Sequence, residues 1–516
     1  MTSPRTRPVR AQAAGTGAAR AEAGQAGFDA GPAWMRVLPP VVTFVIMLWG
    51  ITGASYWRDE AATMSAVQRS FGNLLQTLGN VDAVHGAYYI LIWPLVRIGG
   101  TGELVTRLPS AVAMAAAAAA VAALGRRLVS PRAGLASGLV FAILPPISMY
   151  GQDARPYAIV VMLAAVASYL LVRAMAAESG GRHRWLAGYA ACLAVLGIVD
   201  IFGLMLIVGH AVTVALRCLR AGDGSAPDAR GSGTSDARSL ALGWLAAAVA
   251  GTAATSPVLA LGYVQRGTLS WLLLPGPDEV RGLTGLIGPG AMAAAVALVV
   301  AAGIVVSAVA GRERLRADWP GSLPALCLPW LILPPAILLI GSLITPLYTL
   351  RYVLLCIPAI ALLTGAALAA VGWVAGTAAL AVIALLGAHA QVLERGPDGH
   401  ADNVRQADRI VAEHKRPGDA VLEFKAENFA QAYPYGIRDL NNIAQAKTPI
   451  ESATLIGTFL PDPVVRQRLT HVSRVWVVEY GRRTPLPILN GLHFRLVRVW
   501  LTSDIWLFLY AQSNGD

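Results

Sequence analysis

The stretch AYYILIWPLVRIGG, residues 87–100, decides how this chain is arranged. Its apolar part runs for about ten residues before Arg97, whereas a helix needs roughly 20 to cross the hydrocarbon core of a bilayer, so it is suited to lying in the interface instead of spanning. The choice matters because it sets the side of the membrane on which every later loop lies.

Eleven other apolar runs, at about 37–55, 104–124, 133–150, 156–176, 185–199, 201–219, 239–262, 288–311, 322–345, 349–370 and 371–393, are long enough or nearly long enough to span. With residues 87–100 lying flat, the N-terminal tail shares the cytoplasmic side with the basic loops GRRLVSPR (125–132), ESGGRHRW (178–185), the Gly/Ser/Asp-rich insert after Arg220, and GRERLRAD (311–318). If residues 87–100 crossed, all those later loops would flip outward, against the positive-inside bias. The sequence therefore predicts a polytopic α-helical membrane protein with about eleven transmembrane helices, an interfacial helix in the first outer loop, the tail inside and the region after Gln391 outside.

Composition agrees. Of the 516 residues 55% are hydrophobic, and the mean hydropathy is +0.56. The net charge of +11 is scattered between apolar runs instead of forming one patch, so orientation in the membrane accounts for it better than a nucleic-acid partner. Cys192, Cys218, Cys327 and Cys356 lie in or at the ends of apolar segments without metal-like spacing, which argues against disulfides and a structural zinc site. Residues 1–36 are rich in Ala, Gly and Arg and are expected to be a disordered cytoplasmic tail; residues 37–55 lack the short h-region and cleavage site of a signal peptide. From about residue 394 charges become frequent and all three lysines occur, Lys415, Lys425 and Lys447. Residues 394–516 read as a soluble extracytoplasmic α/β domain with a helix over 402–414 and strands at DAVLEF, SRVWVVEYG and FRLVRVWLTSDIWLFLY, carrying no obvious catalytic motif.

This topology gathers scattered polar residues on the outer face. Arg58, Asp59 and Glu60 open the first outer loop in YWRDEAAT (56–63); Asp82, His85 and Tyr88 come late in it; Arg107 begins the second span. Asp153, Arg155 and Tyr157 occupy the tip between the third and fourth spans, and Arg351 and Tyr352 start the tenth. Each has an ordinary reading. Asp59 or Glu60 suits the N-cap of a following helix, His85 a structural hydrogen bond, and Arg155 and Arg351 contact with lipid headgroups. Together they suit group transfer from an anionic lipid: arginine clamps a phosphate bidentately while a carboxylate takes a proton from an attacking hydroxyl. No Gly-rich nucleotide loop and no His-Glu-x-x-His is present.

Four stretches in order, YWRDEA, DAVHGAYYILIWPLVRIGGTGELVTRLPSA, GRRLVSPRAGLASGLVFAILPPISMYGQDARPYA and YTLRYVLLCIPA, resemble the membrane glycosyltransferases of the GT-C fold, nearest to glycosyltransferase family 39 with its protein O-mannosyltransferases and lipid A aminoarabinose transferase. The resemblance covers roughly residues 37–393. It implies an inverting transferase that takes a sugar, mannose or a pentose, from a polyprenyl-phosphate donor on the extracytoplasmic face of a bacterial plasma membrane and gives it to an envelope glycan, lipid or protein. It implies Asp59 as catalytic base with Glu60 adjacent, and Arg155, Tyr157, Arg351, Tyr352 and His85 on the donor side, leaving Asp82, Asp153, Arg58, Tyr88 and Arg107 as acceptor-side or supporting residues. His85 matches the His-Pro-Pro-Leu-like stretch of such enzymes, but HGAYY lacks its prolines.

No cofactor is expected. Asp59, Glu60 and Asp153 together offer hard oxygen ligands for a divalent cation, whereas the resemblance implies an enzyme without one. The competing classes are a transporter or flippase of lipid-linked sugars and a non-catalytic envelope scaffold. The first requires charges at mid-membrane depth and an inverted repeat; the charges here cluster at span ends, and no repeat is found.

Overall fold

The computed structural model describes residues 31–222, 232–310, 323–400, 402–423, 429–437, 439–481 and 487–513. The expectation of a disordered tail falls almost wholly on residues 1–30, outside the described residues; the helix Trp34–Leu48 takes up the rest.

Among the described residues each of the eleven apolar runs contains helix. Among the described residues eight helices are long and apolar enough to cross a membrane: Glu103–Leu128, Tyr157–Ala176, Ile201–Leu219, Ser235–Ala254, Gly290–Val309, Leu323–Gly341, Leu350–Ala370 and Trp373–Leu393. The chain is a multi-pass membrane protein. The other three runs depart from plain spans for identifiable reasons. The first forms only the 15-residue helix Trp34–Leu48 before a run of turns. The third is two helices, Pro131–Ile143 and Pro145–Gly151, bent by 64°. Leu144 is extended there, as a residue before proline prefers, and Pro145 supplies no N–H to continue the ladder. The fifth lies within Ser179–Val199, whose first turns carry Arg182, His183 and Arg184.

Residues 87–100 belong to the helix Gly86–Gly99, which contains Pro94. At 14 residues it is about 21 Å long, short of the roughly 30 Å hydrocarbon core. Tyr88, Tyr89, Ile92 and Val96 are buried on one face, while Ile90, Leu91 and Ile98 are exposed. The loop holds two more helices, Arg58–Val67 and Phe71–Asn80.

Among its described residues the C-terminal region contains the helix Val404–His414 and seven strands: β1 (Ala420–Glu423), β2 (Asn441–Asn442), β3 (Gln445–Lys447), β4 (Thr458–Phe459), β5 (Arg474–Tyr480), β6 (Phe494–Thr502) and β7 (Ile505–Gln512). Five form a mixed sheet in the order β2-β1-β5-β7-β6, with β2, β1 and β5 parallel and β7 antiparallel to both β5 and β6. The stretch expected as strands after residue 493 is the β6–β7 hairpin. This region is not a bead hung on a linker: Val404, Val411, Trp476 and Leu507 share one apolar cluster with Tyr56, Met64, Leu74, Tyr88 and Ile92 of the loop after the first helix.

Two arginines fasten these parts together. All five N–H groups of buried Arg107 are used, on the carbonyls of Ile51, Ala54 and Ser55 and on both oxygens of Glu60. Arg395, just past the last span, donates to the carbonyls of Ile46, Trp49 and Gln391 and stacks on Trp49. The first-loop helix and the linker to the C-terminal domain are thereby held at one end of the bundle.

Candidate active site

A cavity of about 490 Å³ lies between the loop after the first helix, the span ends and the linker that leaves the last span, with Asp59, Arg155, Tyr157, Asp200, Arg351 and Tyr352 in its wall. That volume falls among small-molecule sites of about 300–1,000 Å³.

Asp59 and Glu60 both occupy the first turn of the helix Arg58–Val67, where a helix end favours negative charge. Neither is its N-cap. Trp57 holds that position with an extended backbone and no side-chain cap, so the capping reading is corrected. The two acids then diverge, because successive helical residues point about 100° apart. Asp59 faces the cavity with its Oδ2 3.0 Å from Arg351 Nη1, each side chain about one-sixth exposed. That Oδ2 accepts no well-directed hydrogen bond, so the contact is electrostatic and the lone pairs stay available. Glu60 is fully buried; Arg107 grips it bidentately at 2.7 and 2.6 Å, and Ala154 N–H donates to it at 2.8 Å. Burial pushes the Glu60 carboxyl up, but the charge and hydrogen bonds of Arg107 override this and hold it below the usual carboxylate range.

Arg351 lies at the start of the span Leu350–Ala370 and sits among aromatic faces, 4.8 Å from the centroid of Trp271, 5.9 Å from Tyr352 and 6.0 Å from Trp57. Its Nε is buried without a partner. Tyr352 stacks on Phe202 at 4.3 Å, and Tyr157 packs edge-on to Tyr150 at 5.3 Å.

The opposite wall is a hydrogen-bonded network with one donor, Arg155 Nε, left without a partner. His85 Nδ1 and Asp82 Oδ1 are 2.6 Å apart, Tyr89 Oη donates to Asp82 Oδ2, and Arg155 donates to Tyr89 Oη at 3.0 Å and to His85 Nε2 at 3.1 Å. An arginine can only donate, so His85 carries its proton on Nδ1. Burial raises the Asp82 carboxyl, yet His85, Arg155 and Tyr89 outweigh it and keep the group below its ordinary value. Asp82 has a left-handed backbone, φ 60°, uncommon for a residue with a Cβ. With Arg155 committed to these partners and only 5% exposed, the headgroup reading of this arginine is set aside.

The remaining expected residues lie around the cavity instead of in it. Arg58 reaches the wall but spends its guanidinium on Asp402, Nε to Oδ2 and Nη2 to Oδ1 both at 3.0 Å, and reaches Asp504 at 3.3 Å. Asp153 is buried behind the wall and accepts from Trp57 Nε1 at 3.1 Å; burial first, then the charges of Glu60 and Asp59, push its carboxyl well above the normal range. Arg107 and Tyr88 do not line the cavity; Tyr88 belongs to the apolar cluster shared with the C-terminal region.

Sequence reasoning missed several wall residues. Tyr89, not Tyr88, joins the network, a choice legible in its i, i+4 spacing from His85. Asp200 sits at the break between two helices, with one carboxylate oxygen accepting from Phe202 N–H at 2.8 Å; burial raises its carboxyl. His400 and Asp402 come from the linker, which had shown no catalytic motif, and Trp271 and Arg266 from the segment after Ser256–Val264. These have no local signal.

Residues 86–217 match the family model described as dolichyl-phosphate-mannose-protein mannosyltransferase. No curated protein matches the chain. Among solved structures it is similar to ArnT from Cupriavidus metallidurans, both in the apo state, with TM-score 0.59 and 16% identity, and bound to undecaprenyl phosphate, with TM-score 0.60 and 15% identity. Each likeness covers 92% of this chain and 97% of ArnT. Arabinofuranosyltransferase AftD from Mycobacteria is similar at a TM-score of 0.49 and 15% identity, over 94% of this chain and 40% of that one. The GT-C fold expected from the motifs is therefore present, with its α/β domain following the last span.

Proposed function

We propose that the protein transfers a sugar, with inversion at the anomeric carbon, from a polyprenyl-phosphate donor to a hydroxyl of a cell-envelope acceptor. The observation that carries this reading is the Asp59–Arg351 pair, a carboxylate with free lone pairs 3.0 Å from a guanidinium whose Nε is unpartnered, in one cavity. Asp59 takes the proton of the acceptor hydroxyl as that oxygen attacks the anomeric carbon. The bond to the phosphate oxygen breaks on the opposite face, and Arg351 receives the charge released on the lipid phosphate. A single displacement needs one base and no carboxylate nucleophile. Arg155, held by Tyr89 and His85, adds positive charge along the same wall.

The cavity volume suits the sugar-phosphate headgroup of such a lipid, with the isoprenoid tail left in the bilayer. Support comes from the match of residues 86–217 to a family model named for a dolichyl-phosphate-mannose enzyme and from the likeness to ArnT with undecaprenyl phosphate bound. Mannose or a pentose is the sugar we expect, an envelope glycan, lipid or protein the acceptor, and the outer face of a bacterial plasma membrane the setting, with the N-terminus cytoplasmic. A transporter or flippase calls for ionisable groups at mid-membrane depth; the cavity's acids and arginines sit at span ends.

The test supplies purified protein with polyprenyl-phosphate mannose or pentose and measures release of polyprenyl phosphate, with Asp59→Asn in parallel. Turnover by the wild type and its collapse in Asp59→Asn support the reading. Undiminished transfer by Asp59→Asn removes Asp59 as base, and failure to use any lipid-phosphate sugar removes the enzyme reading.

A further inference from the structure

One residue along the helix from Asp59, three buried side chains from distant parts of the chain converge. Glu60 comes from the first-loop helix, Asp153 from the bend before Tyr157–Ala176, and His400 from the linker beyond the last span; each is 1% exposed or less. Each presents one ligand atom, and these atoms lie within 4.8 Å of one another.

Their hydrogen bonds leave a consistent remainder. Asp153 Oδ1 is held by Trp57 Nε1, and its Oδ2 has no partner. Glu60 Oε1 is held by Arg107 Nε and Ala154 N, while Oε2 takes a single donor, Arg107 Nη2, and lies 3.6 Å from His400 Nδ1. Neither nitrogen of His400 has a hydrogen-bond partner. Buried polar atoms are rarely left in this state, because each forfeits its hydration without compensation. A neutral His400 supplies one N–H and a protonated Asp153 one O–H, but neither group has an acceptor within hydrogen-bond reach, the nearest Glu60 oxygen lying 3.6 Å from His400 Nδ1. A cation satisfies an oxygen of each acid and one nitrogen at once, and its charge answers that of the carboxylates.

We propose that Glu60, Asp153 and His400 form a binding site for a divalent transition-metal ion. One imidazole and two carboxylates make the mixed nitrogen and oxygen set that suits zinc. The arrangement also has the outer support such sites use: Trp57, Arg107 and the Ala154 amide each hold the carboxylates in place. Bonds of about 2.0–2.2 Å draw the three atoms together by roughly 1 Å from the separations seen here. His400 also borders the cavity, which leaves space for water as a further ligand. The ion clamps the linker carrying Asp402 onto the first-loop helix, beside the proposed base. This site replaces the Asp59, Glu60 and Asp153 set that the sequence suggested, and it stands whether or not the proposed transfer reaction is correct.

The test uses full-length protein without a polyhistidine tag, stripped by chelator, incubated with Zn²⁺ or Co²⁺ and dialysed. About one ion per chain is expected by elemental analysis, and bound Co²⁺ is expected to show the visible absorption of a low-coordinate site. His400→Gln and Asp153→Asn each lower retained metal at least tenfold, while His471→Gln, an exposed histidine elsewhere, retains all of it. Thermal melting without metal checks that each variant folds. No metal on the wild type, or equal metal on folded His400→Gln, overturns the proposal. If that variant does not fold, Asp153→Asn, which keeps an acceptor for Trp57, decides the matter.

Discussion

Two neighbouring acids, Asp59 and Glu60, each face an arginine at about 3 Å or less, yet the two pairs are built in opposite ways. Glu60 and Arg107 are fully buried; all five N–H groups of the arginine are used, and the acid takes three donors, two on Oε1 and one on Oε2. Asp59 and Arg351 border a cavity, and atoms on each side lack a directed partner. A buried pair gripped in this way holds a fold in register, and removing one partner strands the other's charge. An unsaturated pair at a cavity keeps its hydrogen-bonding capacity for something that enters.

The comparison breaks first at Asp59. Asp59→Asn preserves shape and removes the base, so turnover is expected to fall about 10²–10⁴-fold with melting temperature unchanged; a melting loss as large as that of a Glu60 variant would make the two acids equivalent. The second effect belongs to the buried pair. Glu60→Gln or Arg107→Ala leaves an uncompensated buried charge and should cost about 3–5 kcal/mol of stability, read as loss of folded protein in detergent on mild heating. Smaller is Arg351→Ala, whose charge-assisted bond to a phosphate is worth about 1.5–3 kcal/mol. It should raise the KM for a lipid-phosphate donor roughly tenfold to a hundredfold while the fold persists, and an unchanged KM separates Arg351 from donor binding. Below these lies Tyr89→Phe, which withdraws one hydrogen bond each from Asp82 and Arg155. About 1 kcal/mol is expected, with a drop in turnover smaller than for Arg351→Ala.

The smallest effect is a pH dependence. The Asp82 carboxyl is held below its ordinary value in the folded state, so it binds fewer protons there than when unfolded. Its contribution is therefore present above about pH 4 and fades as pH falls through the lowered folded value. Asp82→Asn should flatten the loss of melting temperature in that acid window, and a wild-type-like slope would show that the network with His85 and Arg155 does not bias the carboxyl.

How much of this was legible beforehand depends on the kind of signal each residue carries. Apolar run length is local, and it placed the eight helices that are long and apolar enough to cross a membrane among the described residues, counted three further runs that are shorter, broken or partly charged, and marked residues 87–100 as too short to span. It missed the break at Leu144, although the Pro145-Pro146 pair was visible in the sequence. The choice of Asp59, His85, Arg155 and Arg351 came from charge at span ends together with motif order, and the structure brings these four to one cavity. The same reasoning could not separate Asp59 from Glu60, because both are acidic, adjacent and in one helical turn. Only the direction in which each side chain leaves the helix, and the arrival of Arg107 from another span, distinguishes them. His400 and Asp402 were invisible as site residues, since nothing nearby in sequence signals that the linker folds back over the first loop.

By itself the sequence determined the long apolar helices, the short helix of the first loop and the main strands of the C-terminal region, since burial in lipid or in a sheet imposes a run length or a period that each segment satisfies alone. Tertiary structure decided which polar groups are spent and which are free. That depends on partners from elsewhere in the chain: Arg107 grips Glu60, Asp402 holds Arg58, Tyr89 and His85 hold two donors of Arg155 and leave its Nε free, and Asp59 and Arg351 are left facing the cavity.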